Sequence, residues 1–181
     1  MRRVACVLVS SLLVLIAAGA RAEMEEWQIS VGPGYRGVVL DSDPALAIHA
    51  PGVSFGAWYG IDDYWQLGGG GHAGLGIPVA TEGAAPDPAF VGSLGAEVRY
   101  VLDIVEWVPH LAVAIGGMWN GVGELGAFDL IVGGGLGIDY RPAREWSVGL
   151  SGRYDVALTD LDGISATFHV ALVYSLHLSS F

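Results

Sequence analysis

The sequence predicts an all-β protein: an eight-stranded antiparallel up-and-down barrel that spans a membrane, preceded by a cleaved signal peptide. Apolar residues make up 52% of the 181 positions and charged residues 15%, against about 25% charged in an ordinary soluble domain. The 28 glycines disfavour long helices. After position 23, apolar residues alternate with small or polar ones, and no apolar run is long enough for a spanning helix.

The first 22 residues are typical of a secretory signal peptide. A positive start (MRR) precedes an apolar stretch over 4–18, and the ending ARA matches the small-x-small pattern at which such signals are cleaved. Because a stretch of about 15 apolar residues is too short to span a bilayer, we expect cleavage between Ala22 and Glu23. A single barrel domain is expected over 23–181. The lone cysteine, Cys6, would leave with the signal.

Large apolar side chains occupy every second position in four segments of the first half of the mature chain. Val53, Phe55 and Tyr59, for example, alternate with Ser54 and Gly56. A period of two is characteristic of a strand with one apolar face. The four predicted strands lie over 27–32, 53–61, 65–77 and 90–100.

The same alternation continues through the second half. Leu136, Ile138 and Tyr140, for example, alternate with Gly137 and Asp139. An even number of strands places both termini on one side, which is the periplasm in outer-membrane barrels. The remaining four strands are predicted over 111–120, 128–140, 146–155 and 168–178.

The face opposite the apolar one distinguishes a membrane barrel from a soluble sandwich or lipocalin-like barrel. A soluble barrel turns polar side chains outward, whereas a membrane barrel turns its apolar side chains to lipid. Here the opposite face is mostly Gly, Ala and Ser with a few charges of both signs. Such a face would be a poor water-exposed surface but suits a narrow interior, and this favours the membrane barrel.

The predicted connections alternate between short and long, as periplasmic turns and outer loops do. The short connections are at 62–63, 102–106 and 141–145, and the longer ones at 37–47, 78–88 and 156–163. The connection over 120–126 is short for an outer loop and departs from the alternation.

Aromatic residues fall near the predicted strand ends rather than the centres. Trp and Tyr favour membrane interfaces because their rings are apolar while the N–H or O–H reaches water. Strand order places Trp119 beside the outer ends, with Phe90, Phe128 and Tyr154. The residues beside the periplasmic ends are Trp27, Tyr59, Trp65, Trp107, Tyr140 and Trp146.

In these features the chain resembles the small eight-stranded outer-membrane β-barrels of Gram-negative bacteria, the OmpA/OmpX-like family. The final residue, Phe181, matches the terminal aromatic that the family's insertion machinery recognises. The positions two and four residues earlier are Ser179 and His177, so the apolar phase is displaced by one residue there. The resemblance implies an integral outer-membrane monomer in contact with lipid and lipopolysaccharide, with the insertion machinery as a partner.

Six charged side chains are predicted to face the barrel interior. An eight-stranded barrel has an interior just wide enough for side chains or one small ligand, and unpaired charges there are costly. We therefore expect the two arginines to pair with nearby acids and to lock the barrel, with a gate or ion path as the alternative. The six residues are Glu97, Arg99, Asp129, Asp139, Arg153 and Asp155.

Other site types have weaker support in the sequence. The absence of lysine and of any basic patch argues against nucleic-acid binding. The glycine runs at 68–71 and 133–135 are not followed by the Lys-Ser/Thr of a phosphate loop. His72, His169 and His177 are predicted to face inward, but their spacing defines no metal site. No cofactor is expected.

Three functions remain open at this point. The first is a structural or surface-interaction barrel with acidic outer loops, which contain Asp41, Asp43, Glu82, Asp87, Asp160 and Asp162. The second is a narrow porin-like channel for small or apolar solutes. The third is a lipid A-modifying enzyme, for which His177 and Ser179 would be the candidate pair. We expect no enzymatic activity.

Overall fold

The period-two pattern folds into eight strands, as predicted. The computed structural model describes residues 26–40, 46–80, 87–102, 106–121, 127–159 and 166–179. The strands are β1 (Glu26–Leu40), β2 (Leu46–Gly60), β3 (Trp65–Ala80), β4 (Ala89–Val101), β5 (Trp107–Asn120), β6 (Ala127–Ala143), β7 (Trp146–Ala157) and β8 (Ala166–Ser179).

Each strand pairs antiparallel with the next, and β1 pairs with β8 to close the barrel. Trp27 on β1, for example, lies opposite Tyr59 on β2 and Leu178 on β8. Closure leaves no unpaired sheet edge, which is a requirement for a β-structure in lipid. The predicted fold class is thus confirmed. None of the described residues forms a helix that is long and apolar enough to cross a membrane.

Two ends of the barrel are distinguished below. The terminal end holds the start of β1, the end of β8 and the β2–β3, β4–β5 and β6–β7 connections; the loop end holds the other connections. At the terminal end, Asp62 Oδ1 accepts hydrogen bonds from the backbone N–H groups of Tyr64 (2.7 Å) and Trp65 (2.8 Å). An aspartate side chain that bonds nearby backbone in this way stabilises a tight turn.

Some strands extend further than their sequence pattern predicted. The connection predicted over 37–47 is wrong at both ends, because Gly37 pairs with His49 and Leu40 with Leu46. Backbone pairing continues there although the apolar alternation has ended, since the ladder uses N–H and C=O groups that every residue except proline provides. β6 also runs into the predicted turn, and its register with β7 shifts between Tyr140 and Ala143.

Large apolar side chains cover the outside of the barrel, while polar ones fill it. Leu94, Phe128 and Leu136 are 65%, 67% and 66% exposed. Gln28 and Glu97, by contrast, are buried inside. This distribution is the reverse of a soluble barrel and matches a barrel whose solvent is lipid.

Outward-facing glycines let aromatic rings lie against the barrel wall. A Cβ at Gly92 would come within 2.7 Å of the Phe90 ring, and one at Gly71 within 2.9 Å of the Phe55 ring. A Cβ at Gly37 would overlap the Phe168 ring on the adjacent strand. Part of the glycine excess is therefore explained by aromatic side chains that cover neighbouring glycines.

Candidate functional site

Four of the six predicted interior charges meet in one network at mid-height in the barrel. Glu97 on β4 pairs with Arg99 (2.5 Å) and, across the interior, with Arg153 on β7 (3.4 Å). Arg153 Nε also lies 2.8 Å from Asp155 Oδ1, although its N–H does not point at that oxygen. The side chains are at most 12% exposed, so these pairs are weakly screened by water.

Arg36 joins the same network and was missed by the sequence reasoning. Its Nη1 lies 3.1 Å from Asp155 Oδ2 and donates to Thr167 Oγ1 at 3.0 Å, and the side chain is fully buried. Arg36 lies between the strand predicted over 27–32 and the connection predicted over 37–47, in a stretch for which no structure was predicted. It shares the even parity of Gln28 and Ser30, which face the interior, and this was the signal available in the sequence.

Trp58 forms one wall of the network and was also not singled out. The guanidinium carbon of Arg99 lies 3.4 Å from the Trp58 ring centroid, and Trp58 Nε1 donates to Glu97 Oε1 at 3.2 Å. A Cβ at Gly56 would overlap the Trp58 ring. Glycine at that position thus allows the indole to lie against the strand and leaves room for Arg99 on its other face.

Asp139 lies nearer the terminal end, separate from the central pairs. It accepts a hydrogen bond from Gln28 Nε2 at 3.4 Å, and His110 Nδ1 lies 3.8 Å from its Oδ2. Asp139 borders a cavity of about 60 Å³ that Arg99 and Arg153 also line, and a second cavity of about 30 Å³ towards the terminal end. Both cavities are large enough to hold water, since one water needs a cavity volume of about 10–15 Å³.

Asp129 does not join the network predicted to contain it. It lies near the loop end, where its carboxylate accepts a hydrogen bond from the exposed Thr159 Oγ1 at 2.9 Å. The alternation placed Asp129 on the inward parity, but only two residues into β6, where the wall ends and water is within reach.

An apolar layer closes the interior at the loop end. Its side chains come from β1, β2, β4, β5 and β6 and are each at most 2% exposed. The cavities of about 60 Å³ and 30 Å³ are lined by none of the residues in this layer, so the polar, partly hollow part of the interior lies on the terminal side of the layer. The apolar layer consists of Val38, Ile48, Ala50, Val91, Met118 and Ile131.

The seven predicted girdle residues lie near the strand ends. At the terminal end, aromatic pairs come from adjacent strands, with ring centroids 4.9–6.1 Å apart. The pairs are Trp27–Tyr59, Trp65–Tyr100, Trp107–Tyr140 and Trp146–Tyr174. Trp119 lies near the loop end, 60% exposed and opposite Phe128.

The inward histidines bond serines and backbone, and His72 and His169 share one serine, since Ser54 Oγ also lies 3.4 Å from His72 Nδ1. His169 Nε2 is 2.7 Å from Ser54 Oγ, and His72 Nε2 is 3.0 Å from the Ala50 carbonyl oxygen. Among the described residues, no group of three or more His, Cys, Asp or Glu could hold a metal ion. The predicted cleavage site at Ala22 and Glu23 and the terminal Phe181 lie outside the described residues.

The barrel has an apolar exterior, aromatic rings at both ends and a polar interior held by ion pairs. These features define a class: the small eight-stranded β-barrels of bacterial outer membranes. The same fold is found in OprG from Pseudomonas aeruginosa (TM-score 0.63, 9% identity, 90% of this chain and 99% of that chain). It is also found in Neisserial surface protein A (0.58, 14%, 85% and 97%) and in Ail from Yersinia pestis (0.55, 13%, 86% and 100%).

At these identities the likeness establishes the fold, and the resemblance drawn from the sequence is confirmed at that level. Ail has also been solved in complex with the heparin analogue sucrose octasulfate (TM-score 0.52, 14% identity, 86% and 100%). No family model matches the chain, and no curated protein matches it in sequence.

Proposed function

We propose that the chain is an integral outer-membrane barrel whose closed interior serves stability and whose role is structural or a surface interaction. The observation that carries this proposal is the combination of a lipid-facing exterior with an interior closed by the apolar layer. Both termini are proposed to be periplasmic, with lipid and lipopolysaccharide as neighbours and the insertion machinery as a transient partner.

The two aromatic belts support the membrane location. A belt at each end, with large aliphatic side chains between, matches the two interfaces and the hydrocarbon core of a bilayer. Fractionation of cells that express the full chain tests this location. Recovery in the outer membrane, with the folded barrel migrating differently before and after heating, is expected; recovery as a soluble periplasmic protein would contradict the proposal.

The apolar layer argues against the alternative of a narrow porin-like channel. An ion that crosses it would lose its water among side chains that offer no hydrogen bonds, at a cost of several kcal/mol. Arg36, Asp155 and Thr167 also bind one another beside this layer, where Arg36 Nη1 lies 4.0 Å from Met118 Sδ. We expect no single-channel steps in planar bilayers. Regular unitary steps from the purified wild-type barrel would favour the channel instead.

The surface-interaction part of the proposal rests on charge. The predicted outer loops contain Asp41, Asp43, Glu82, Asp87, Asp160 and Asp162 and no lysine or arginine. A cationic surface is therefore the expected partner, rather than a polyanion such as the heparin analogue bound to Ail. Whole cells displaying the barrel should bind immobilised polylysine better than cells displaying a variant with these acids changed to Asn or Gln. Equal binding would contradict this role.

A further inference from the structure

A serine, a histidine and a glutamate contact one another in a row on three neighbouring strands at the terminal end. Ser147 Oγ on β7 is 2.9 Å from His177 Nε2 on β8, and His177 Nδ1 is 3.7 Å from Glu26 Oε1 on β1. Arg141 on β6 binds that carboxylate through Nη2, at 2.8 Å and 3.0 Å from its two oxygens. None of these residues belongs to the network at mid-height.

The order of these contacts is that of a nucleophile, a general base and an orienting acid. One imidazole nitrogen faces the hydroxyl and the other faces the carboxylate, so the ring can accept the hydroxyl proton while the acid stabilises the resulting imidazolium. Such hydrogen bonds are often longer without substrate. Arg141 Nη2 also donates to the Arg144 carbonyl oxygen at 2.6 Å, and this holds the cation and Glu26 in place.

We propose that Ser147, His177 and Glu26 form a nucleophilic site that hydrolyses esters of very short acyl groups. Ser147 Oγ attacks the ester carbonyl carbon while its proton passes to His177 Nε2. The alcohol leaves with that proton, and an acyl-serine remains. Water then gives a proton to His177 and attacks the acyl carbon, which releases the carboxylic acid as the proton returns to Ser147.

The space beside the triad limits the acyl group. Ser147, His177 and Glu26 border the 30 Å³ cavity at the terminal end, together with Gln28 and Gln66. About two waters fit in such a volume, so an acetyl group is near the upper limit. Because Ser147 is fully buried, the ester must enter through the terminal mouth of the barrel. This chemistry does not depend on the proposed surface role.

A second serine–histidine pair supplies a matched control. Ser54 Oγ is 2.7 Å from His169 Nε2, so Ser54 is at least as close to a histidine base as Ser147 is to His177. Within the described part of the chain, however, His169 has no carboxylate partner; its charged neighbours are Arg36 and Arg153. If an orienting acid is needed, Ser147 should react and Ser54 should not.

Labelling of the full-length, detergent-folded protein with a small fluorophosphonate tests the nucleophile. We expect one label, mapped to Ser147 by peptide mass spectrometry, that is lost in Ser147→Ala, reduced at least tenfold in His177→Asn and unchanged in Ser54→Ala. Only the band that retains heat-modifiable migration is counted, which separates misfolding from lost reactivity. No label on the folded wild type, or equal label in Ser147→Ala, would overturn the proposal. The contacts among Ser147, His177 and Glu26 would then only stabilise the barrel.

Hydrolysis of 4-nitrophenyl acetate and 4-nitrophenyl butyrate by the same samples tests the reaction and its size limit. Acetate turnover should fall at least tenfold in Ser147→Ala and Glu26→Gln, and butyrate should be the poorer substrate. Turnover that is the same in wild type and Ser147→Ala would refute the site. Neither outcome depends on cell fractionation or polylysine binding, so failure here is distinguishable from failure of the proposed function.

Discussion

Replacing Glu97 by glutamine tests whether the central network stabilises the barrel. Glu97 is 6% exposed, and among the described residues it is the only carboxylate within ion-pair distance of Arg99. Glutamine has the same shape as the Glu97 side chain and keeps an oxygen that can accept the hydrogen bond from Trp58 Nε1. The substitution therefore removes only the negative charge. Removing one partner of a buried pair costs about 3–5 kcal/mol because the other charge stays buried. Since Arg153 retains Asp155, we expect a loss of about 3 kcal/mol.

Urea unfolding in detergent or lipopolysaccharide micelles, followed by tryptophan fluorescence, measures this effect. With a slope of about 2 kcal/mol per molar urea, the midpoint should fall by about 1.5 M. Glu145→Gln is the control, because Glu145 is exposed in the β6–β7 turn and surface substitutions usually change stability by less than about 0.5 kcal/mol.

A double variant separates lost charge from lost shape. Arg99→Met added to Glu97→Gln removes the uncompensated cation and keeps a long side chain over the Trp58 ring. Because buried ion pairs can often be replaced by apolar residues at little cost, the double variant should be more stable than Glu97→Gln alone. A Glu97→Gln barrel within 1 kcal/mol of wild type, or a double variant that is no better, would refute this account of the network.

Three further variants test the outward facing of Leu136, the contact between Gly56 and Trp58, and the apolar layer. Leu136→Arg on the lipid face should destabilise the barrel by about 2–4 kcal/mol if it lies near the midplane, and an effect near zero in the urea assay would contradict that facing. Gly56→Ala should displace the Trp58 ring, cost about 1–3 kcal/mol and shift tryptophan emission, whereas unchanged emission would show that the wall can adjust. Met118→Gly with Ile131→Gly should thin the apolar layer and give unitary conductance in planar bilayers, and a double variant that does not conduct would contradict the role of this layer in closing the barrel.

The alternation of apolar and polar residues correctly predicted the strands of the barrel and which of their side chains face outward. Residues such as Leu136 and Glu97 have their facing set locally, because successive side chains on a strand point to opposite faces. The number of strands and the girdle positions follow from the same counting. Strand ends were predicted less well, because backbone pairing extends past the last apolar residue, as Gly37 with His49 illustrates.

Within the interior, the sequence predicted the residues but not their partners. It placed Glu97, Arg99, Arg153 and Asp155 inside, yet it also placed Asp129 there and missed Arg36 and Trp58. Parity indicates that a side chain faces inward, but not the height at which it does so. Strand tilt and stagger decide height, and these are properties of the closed barrel.

The sequence alone therefore determined that the outer surface of the barrel contacts lipid, and which side chains of each strand point outward. Both follow from the alternation of neighbouring residues along the chain. Only the tertiary structure decided which interior groups meet. Ser147 and His177 are 30 residues apart and meet because β7 pairs with β8. Glu26 and Arg141 are 115 residues apart, and Glu26 reaches this site because β1 closes against β8. Because the interior is narrow, side chains can reach across it to strands that are far away in the sequence. The local alternation of residues does not predict which of these side chains will meet.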